Sequence, residues 1–544
     1  MGRAVRRQVG APPYAAPMTS PDLAIGGFTD DGPWVVDPAA MTWRRDVERL
    51  RAEAQGQVPQ WLETGHLPPL GRLARVVGQV GYALGAWLVL ERRRGGTASK
   101  QAISRRLRIA FGRLGPTYIK LGQIISGGEG LFPEELVHEF KQLRDRVPAE
   151  DFDDVRRVVE SELGRPLDDV FVSFDRTPIA AASIAQVHGA RLRTGEQVVV
   201  KVQRPQIAEL VRSDLEAMAW LAPRLTGRIP IAALANPPAL VELFAETIVE
   251  ELDFRLEAEN MLDVARVLAE TGQRALIVPR PHPTLVTKRV LVMERLRGIP
   301  WDDVAAMHDA GVDTEAVLHA GLVGFMEGAM LYGVFHGDLH GGNLMVQPDG
   351  RTVLMDFGIT GRLDEKKRMA FLLLLVGATS GDTMGQLRAL RDLGAFPPDA
   401  DLDAVYSDLD LDQTVDPTAL SADELVTWLR ELTKKLLEHG ARAPKELMLF
   451  VKNMMFLDGA IARLAPDLDI LEEVQAVHTE IAMRHGERLA AELGIDPALV
   501  AEFDMDSIKA GMGVSLDTER LTYRDVQQRR EIIRERLEEK RRRK

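Results

Sequence analysis

Two short segments constrain this chain more than anything else in it: His336-Gly-Asp-Leu-His-Gly-Gly-Asn343, and Val353-Leu-Met-Asp-Phe-Gly358 soon after. Phosphoryl transfer needs a carboxylate near the nucleophile and oxygen ligands that hold magnesium against the β and γ phosphates. Asp338, with Asn343 five residues on, supplies both groups from one loop. Asp356 ends an apolar β-type run and adds a second metal carboxylate. His336 and His340 stand at i, i+4, a spacing that also serves zinc on a helix. Gly337, Gly341 and Gly342 disfavour a continuous helix, and the glutamate of a zinc-protease helix is missing. Magnesium is therefore the expected metal, and the histidines are read as orienting the loop backbone.

Phosphate binding also calls for a lysine on the α and β phosphates and a helical carboxylate that fixes it. Lys201 ends the run Val198-Val-Val-Lys201, and Glu257 lies in the helical stretch Glu250 to Asn260. No GxxxxGK[ST] occurs, which excludes a P-loop. The segment before the lysine strand is Pro178-Ile-Ala-Ala-Ala-Ser-Ile-Ala-Gln-Val-His188. Its small residues allow close backbone approach to phosphates, and alanine makes it stiffer than a glycine-rich loop.

With these motifs the chain resembles the UbiB/AarF-domain (ADCK) family of atypical protein-kinase-like proteins, over about residues 113–362. Gly115-Pro-Thr-Tyr-Ile-Lys-Leu-Gly-Gln123 resembles that family's KxGQ signature, Ala180, Ala181, Ala182 and Ser183 its alanine-rich loop, and Glu251-Leu-Asp253 its ExD motif. The resemblance implies ATP and Mg2+ as cofactors, with Asp338 as catalytic base, Lys201 and Glu257 as phosphate clamp, and Asn343 and Asp356 as metal ligands. Nucleotide contacts fall to Ala180–Ser183, Lys201 and Met293. Lys120, Gly122 and Gln123 form a regulatory extension whose lysine meets Glu251 or Asp253. This favours slow ATP hydrolysis or phosphorylation of a small, lipid-like molecule over ordinary protein-kinase activity, in support of isoprenoid lipid or quinone metabolism. Where relatives carry an Arg and an Asp after Gln123, this chain reads Ser126-Gly-Gly-Glu-Gly-Leu131. Two alternatives stand beside it: a small-molecule phosphotransferase of the aminoglycoside or choline kinase type, which lacks the Lys120–Gln123 element, and a nucleotide-sensing scaffold without turnover.

Charge narrows the partners. The chain carries a formal charge of −13, but residues 1–120 are +9 and residues 517–544 are +4, leaving −26 on the body between them. Bulk charge of this sign speaks against a nucleic-acid partner, while the basic flanks suit an anionic surface. With no cysteine in 544 residues, disulfides, thiolate nucleophiles and cysteine metal sites are excluded. A cytoplasmic chain is expected, peripheral at the inner face of a membrane, with ATP, anionic or isoprenoid lipid, quinone-biosynthesis proteins and a second copy of itself as candidate partners. The apolar stretch Val76 to Leu90 is 15 residues long, short of the ~20 that cross a bilayer, with Gly81 and Gly85 at small-xxx-small spacing. Asp408, Asp410 and Asp412 resemble a calcium loop superficially, but Gln413 and Ala419 occupy positions that require Gly and Glu.

The expected fold is α+β: a bilobal protein-kinase-like fold with an N-terminal KxGQ helical extension and a long helical C-terminal region. Residues 1–40 read as a flexible leader, 41–99 as a helical segment, 100–295 as the extension and N-lobe, 296–500 as a helical C-lobe and 501–544 as a charged tail. Strands are expected at Asp168 to Phe174 and Leu285 to Met293, and a hairpin at Ala185 to Arg193 with Gln197 to Gln203 through a Gly-containing turn.

Overall fold

The computed structural model describes Trp34 and residues 41–63, 70–126, 133–143, 148–225, 237–409, 444–512 and 514–543, with 431, 435–436 and 438–441. The leader apart from Trp34, the departure after Ser126 and the acidic stretch beyond Leu409 lie outside the described residues.

Five helices come first: α1 (Val47–Trp61), α2 (Leu70–Leu90), α3 (Gly96–Leu114), α4 (Pro116–Ser126) and α5 (Glu134–Phe140). α2 departs from the sequence reading. It is 21 residues long, not 15, and is long and apolar enough to cross a membrane. Its first turn forms because Arg72, which reads as a flank, donates to the Leu114 carbonyl (2.6 Å) and to Asp214 Oδ2 (2.9 Å). Val76, Val80, Ala83 and Trp87 form its buried stripe, whereas Tyr82, Val89 and Leu90 are exposed.

Alternation decides the largest sheet. In β4 (Gln197–Gln203), Val198, Val200 and Val202 are at most 1% exposed on one face. They pack against Val155, Val158 and Val159 of α6 (Phe152–Leu163), one turn apart on its inner face. β4 is central in an antiparallel sheet of β1 (Phe171–Phe174), β3 (Ala185–Leu192), β4, β7 (Val290–Glu294) and β6 (Pro281–Val286), with β2 (Ala180–Ala181) also on β3. The β3–β4 hairpin forms as expected, pairing Val187 with Lys201.

Two strand readings need correction. Asp168 to Val170 is helical, in α7 (Leu167–Val170), because acidic side chains in a first turn after Pro166 favour a helix start. Leu285 to Met293 is not one strand: β6 and β7 share it across a turn in which Thr287 N–H bonds to the Val290 carbonyl.

α8 (Ile207–Leu225), α9 (Pro237–Glu251) and α10 (Phe254–Glu270) follow β4. A second sheet joins β5 (Leu276–Ile277), β11 (Thr352–Leu354), β10 (Leu344–Val346) and β8 (Ile299–Pro300) in that order, and β9 (Val334–His336) pairs with β12 (Thr360–Arg362). The rest is helical: α11 (Val304–Asp309), α12 (Thr314–Glu327), α13 (Glu365–Ser380), α14 (Thr383–Asp392), α15 (Leu402–Asp408), α16 (Lys445–Leu464), α17 (Ile470–Leu493) and three more to Arg543. The largest core runs continuously from Val76 through Phe254 and Leu318 to Leu457.

Candidate active site

Strand register builds the site. β9 runs into the His336–Asn343 segment, and the residues after Asp356 run into β12, its antiparallel partner. Gly337 N–H bonds to the Ile359 carbonyl (2.9 Å), which ties the two loops together. Between them, β10 and β11 form a hairpin that pairs Leu344 with Leu354, and Met355 N–H continues it to the Asn343 carbonyl (2.9 Å). Asn343 and Asp356 therefore flank the same hairpin end.

Asp356 has φ +57°, a left-handed conformation that costs a non-glycine residue about 1–3 kcal/mol and clusters at functional sites. Its Oδ1 accepts from Lys201 Nζ (3.1 Å) and from Gly358 N–H (3.3 Å). A Cβ on Gly358 would sit 3.3 Å from both Asp356 Oδ1 and Glu251 Cγ, so α9 approaches closely here and a larger residue would make both side chains give way.

Lys201 is on the face of β4 opposite the valines, and its Nζ also donates to Glu257 Oε1 of α10 at 2.7 Å. Met293 pairs with Val199 on that same face. The alanine segment is a hairpin strand here: Ala180 and Ala181 pair with Val187 and Gln186, Arg204 donates to the Ala182 carbonyl (3.1 Å), and Ser183 is buried.

Lys120 Nζ lies 2.9 Å from Glu251 Oε1. Of the two acids proposed for Lys120, Glu251 takes it. Asp253 instead caps α10 through Arg255 N–H and binds the Arg255 guanidinium (2.9 and 2.6 Å). Gly122 lets α4 close on Leu143, whose Cδ1 would stand 2.5 Å from an added Cβ.

Two residues escape sequence reading. In α16, Lys452 Nζ donates to Asp338 Oδ1, and the fully buried Asn453 accepts from Leu339 N–H (2.9 Å) while donating to the His336 carbonyl. The only sequence signal is a Lys-Asn pair inside the apolar run Met448 to Leu457. The loop histidines orient backbone. His336 Nδ1 accepts from Asp338 N–H (3.1 Å), so its proton is on Nε2 and goes to the Met355 carbonyl (3.0 Å). His340 Nδ1 accepts from Gly342 N–H (3.1 Å).

Glu251, Glu257, Asp338 and Asp356 thus share Lys120, Lys201 and Lys452. Partial burial opposes ionisation of Asp356, yet Lys201 and Lys120 hold its carboxyl well below the usual range. Burial likewise opposes ionisation of Asp338, and Lys452 and Lys120 overcome it. Glu257 goes the other way: burial lifts it to about 7 against the pull of Lys201, with the Asp356 charge adding to the rise. Burial disfavours charge on both Lys120 and Lys201, but the carboxylates around them keep both protonated. Burial keeps His336 neutral.

Among the described residues, no group of three or more His, Cys, Asp or Glu side chains is arranged to hold a metal unaided. The donors present fit magnesium, which is usually bound by one or two side-chain oxygens together with phosphates and water. The Asp356 side chain is 42% exposed, and the Asn343 amide nitrogen is committed to the Asp338 carbonyl (3.0 Å), so Oδ1 is the Asn343 atom suited to a metal.

Residues 142–389 match the ABC1 atypical kinase-like domain. An uncharacterized protein of Mycobacterium tuberculosis (strain ATCC 25618 / H37Rv) is 36% identical over 390 residues, 69% of this chain and 78% of the relative. An uncharacterized aarF domain-containing protein kinase, chloroplastic, of Arabidopsis thaliana is 33% identical over 68% of this chain and 73% of its own length. A probable protein kinase UbiB of Aeromonas hydrophila is 32% identical, with 68% and 69% covered.

Proposed function

The chain belongs to the ABC1 atypical kinase-like family, and from that premise we propose that it is a magnesium-dependent ATP-binding atypical kinase or ATPase supporting isoprenoid lipid or quinone metabolism at a membrane surface. One observation carries the reading: Lys201 Nζ bridges Glu257 (2.7 Å) and Asp356 (3.1 Å) beside the loop that holds Asp338 and Asn343.

In this reading the chain is two-lobed. The large sheet and α10 form the nucleotide-binding lobe, and α4 is the KxGQ extension. Lys201 contacts the nucleotide phosphates and Glu257 fixes its position. Asn343 Oδ1 and Asp356 would hold magnesium, which would supply neutralisation of phosphate charge. Asp338, kept ionised by Lys452 and Lys120, accepts the proton of the attacking hydroxyl or water. The hairpin of Ala180–Ala181 would cover the phosphates, and Lys120, held by Glu251, would restrict access to larger protein substrates. The quinone assignment is what the UbiB/AarF-domain resemblance implies, and the membrane role rests on the basic flanks and the exposed face of α2.

The test is ADP release by the purified chain with magnesium, with and without anionic liposomes, beside Asp356→Asn. Release should need magnesium, rise with the liposomes and fall at least ~100-fold in the variant. No release under any condition overturns turnover and leaves the nucleotide-sensing scaffold.

A further inference from the structure

A cavity of about 370 Å³ opens between α1 and α10, away from the site described above. Arg44, Arg51, Arg266 and Arg362 line it. The carboxylates on its wall are Glu48, Glu259 and Asp263, one fewer than the guanidinium groups.

Two of those carboxylates are already engaged. Arg44 holds Glu259 in a bidentate pair, with both bonds at 2.7 Å. Asp263 takes Arg362 (2.5 Å) and Arg266 (3.2 Å). Glu48 is exposed and exerts its pull on Arg44.

Arg51 is left over. Its single hydrogen bond runs from Nη2 to Asn260 Oδ1 (2.9 Å), an amide oxygen that it shares with Arg362 (2.7 Å). The Nε atoms of Arg51 and Arg362 are both buried and both without a hydrogen-bond partner. Burial and the neighbouring Arg362 charge depress Arg51, against the raising effect of Glu250, Asp263 and Glu259. Two like charges around one neutral oxygen is a costly arrangement that an anion beside them would relieve.

We propose that this cavity is a binding site for a phosphate group, free or esterified, with Arg51 as its principal contact and Arg362 as its second. Phosphate suits the site better than carboxylate. Its tetrahedral oxygens can accept from two guanidinium groups carried on different elements, whereas a carboxylate satisfies one planar fork. The volume leaves room for an ester substituent beside the phosphate.

The pocket lies on the side of α10 remote from Lys201, and Asn260, which both arginines touch, donates to the Phe357 carbonyl (2.8 Å) beside Asp356. An effect of phosphate on turnover would rest on the phosphoryl-transfer reading. Occupancy at Arg51 does not, so the two can fail separately.

The test is arginine-specific labelling of the wild-type chain with phenylglyoxal, read at Arg51 by mass spectrometry, in inorganic phosphate or in chloride at matched ionic strength. Phosphate should slow labelling of Arg51 at least ~5-fold and leave the exposed Arg157 unchanged. Phosphatidic acid vesicles, against phosphatidylcholine alone, form the other arm. Protection by inorganic phosphate assigns a free ligand, and protection by phosphatidic acid alone assigns a lipid headgroup. Arg51→Gln should weaken inorganic phosphate binding at least ~10-fold by titration calorimetry. Equal labelling of Arg51 in all four conditions overturns the proposal, as does wild-type phosphate affinity in a folded Arg51→Gln.

Discussion

Lys452 and Asp338, 114 residues apart in sequence, form an ion pair that places a cation from α16 on the acid of the His336–Asn343 loop. The pair is mostly sheltered, with 23% and 18% of the two side chains exposed. Together with Asn453 it ties α16 to the candidate chemistry.

Replacing Lys452 with Met should therefore alter chemistry as well as stability. Lys452 and Lys120 keep Asp338 ionised despite burial, so losing one raises the Asp338 pKa. The acid limb of the turnover–pH profile should move to higher pH, and kcat should fall at least ~10-fold. An unmoved acid limb would show that Lys452 does not set the state of Asp338.

Asn453→Ala leaves the Leu339 N–H and the His336 carbonyl buried without partners. Each orphaned group costs roughly 1–3 kcal/mol, so a loss of about 2–6 kcal/mol is expected by denaturant unfolding. Asn453→Leu should not rescue it, because shape is not what is missing.

Glu257 gives a pH signature. Its folded pKa is raised to about 7, so it contributes stability that is full below the ordinary glutamate value and is lost as pH rises through about 7. The Tm of wild type relative to Glu257→Gln should fall between about pH 4.5 and 7 and level off above. A difference independent of pH across that window would rule out a raised Glu257.

Arg72 is the partner of Asp214, whose side chain is fully buried. Arg72→Ala leaves that carboxylate without its ion-pair partner, with Thr117 and the more distant Arg75 still favouring its charge, at an expected cost of up to about 3–5 kcal/mol. It also removes the donor to the Leu114 carbonyl. Limited proteolysis should cut the α2 region faster in the variant than in wild type.

The sequence yields much of this site because its chemistry is concentrated in short strings. His336–Asn343 and Val353–Gly358 each carry their reactive groups within a few residues, and Lys201 and Glu257 have strand and helix contexts that set their direction. All of them meet at one end of the β10–β11 hairpin. What sequence could not supply is long-range pairing. Lys452 and Asn453 sit in a run that reads as a core helix, and nothing local marks their targets. Asp253 shows the opposite limit: it lies within the motif but is taken by Arg255, because the residue before a helix is drawn to cap it. The apolar stretch in α2 reads short of the helix for a similar reason, since Arg72 looks like a boundary until Asp214 is found beside it.

The Asn453 bridge has a consequence for synthesis. The loop between His336 and Leu339 has its backbone satisfied by a residue made 114 positions after Leu339. At ~5–20 residues per second, a ribosome leaves that loop unclamped for roughly 6–23 seconds. The nascent protein therefore holds the Asp338 carboxylate well before it holds the asparagine that clamps its loop, and chains released before α16 would carry the motif without that clamp.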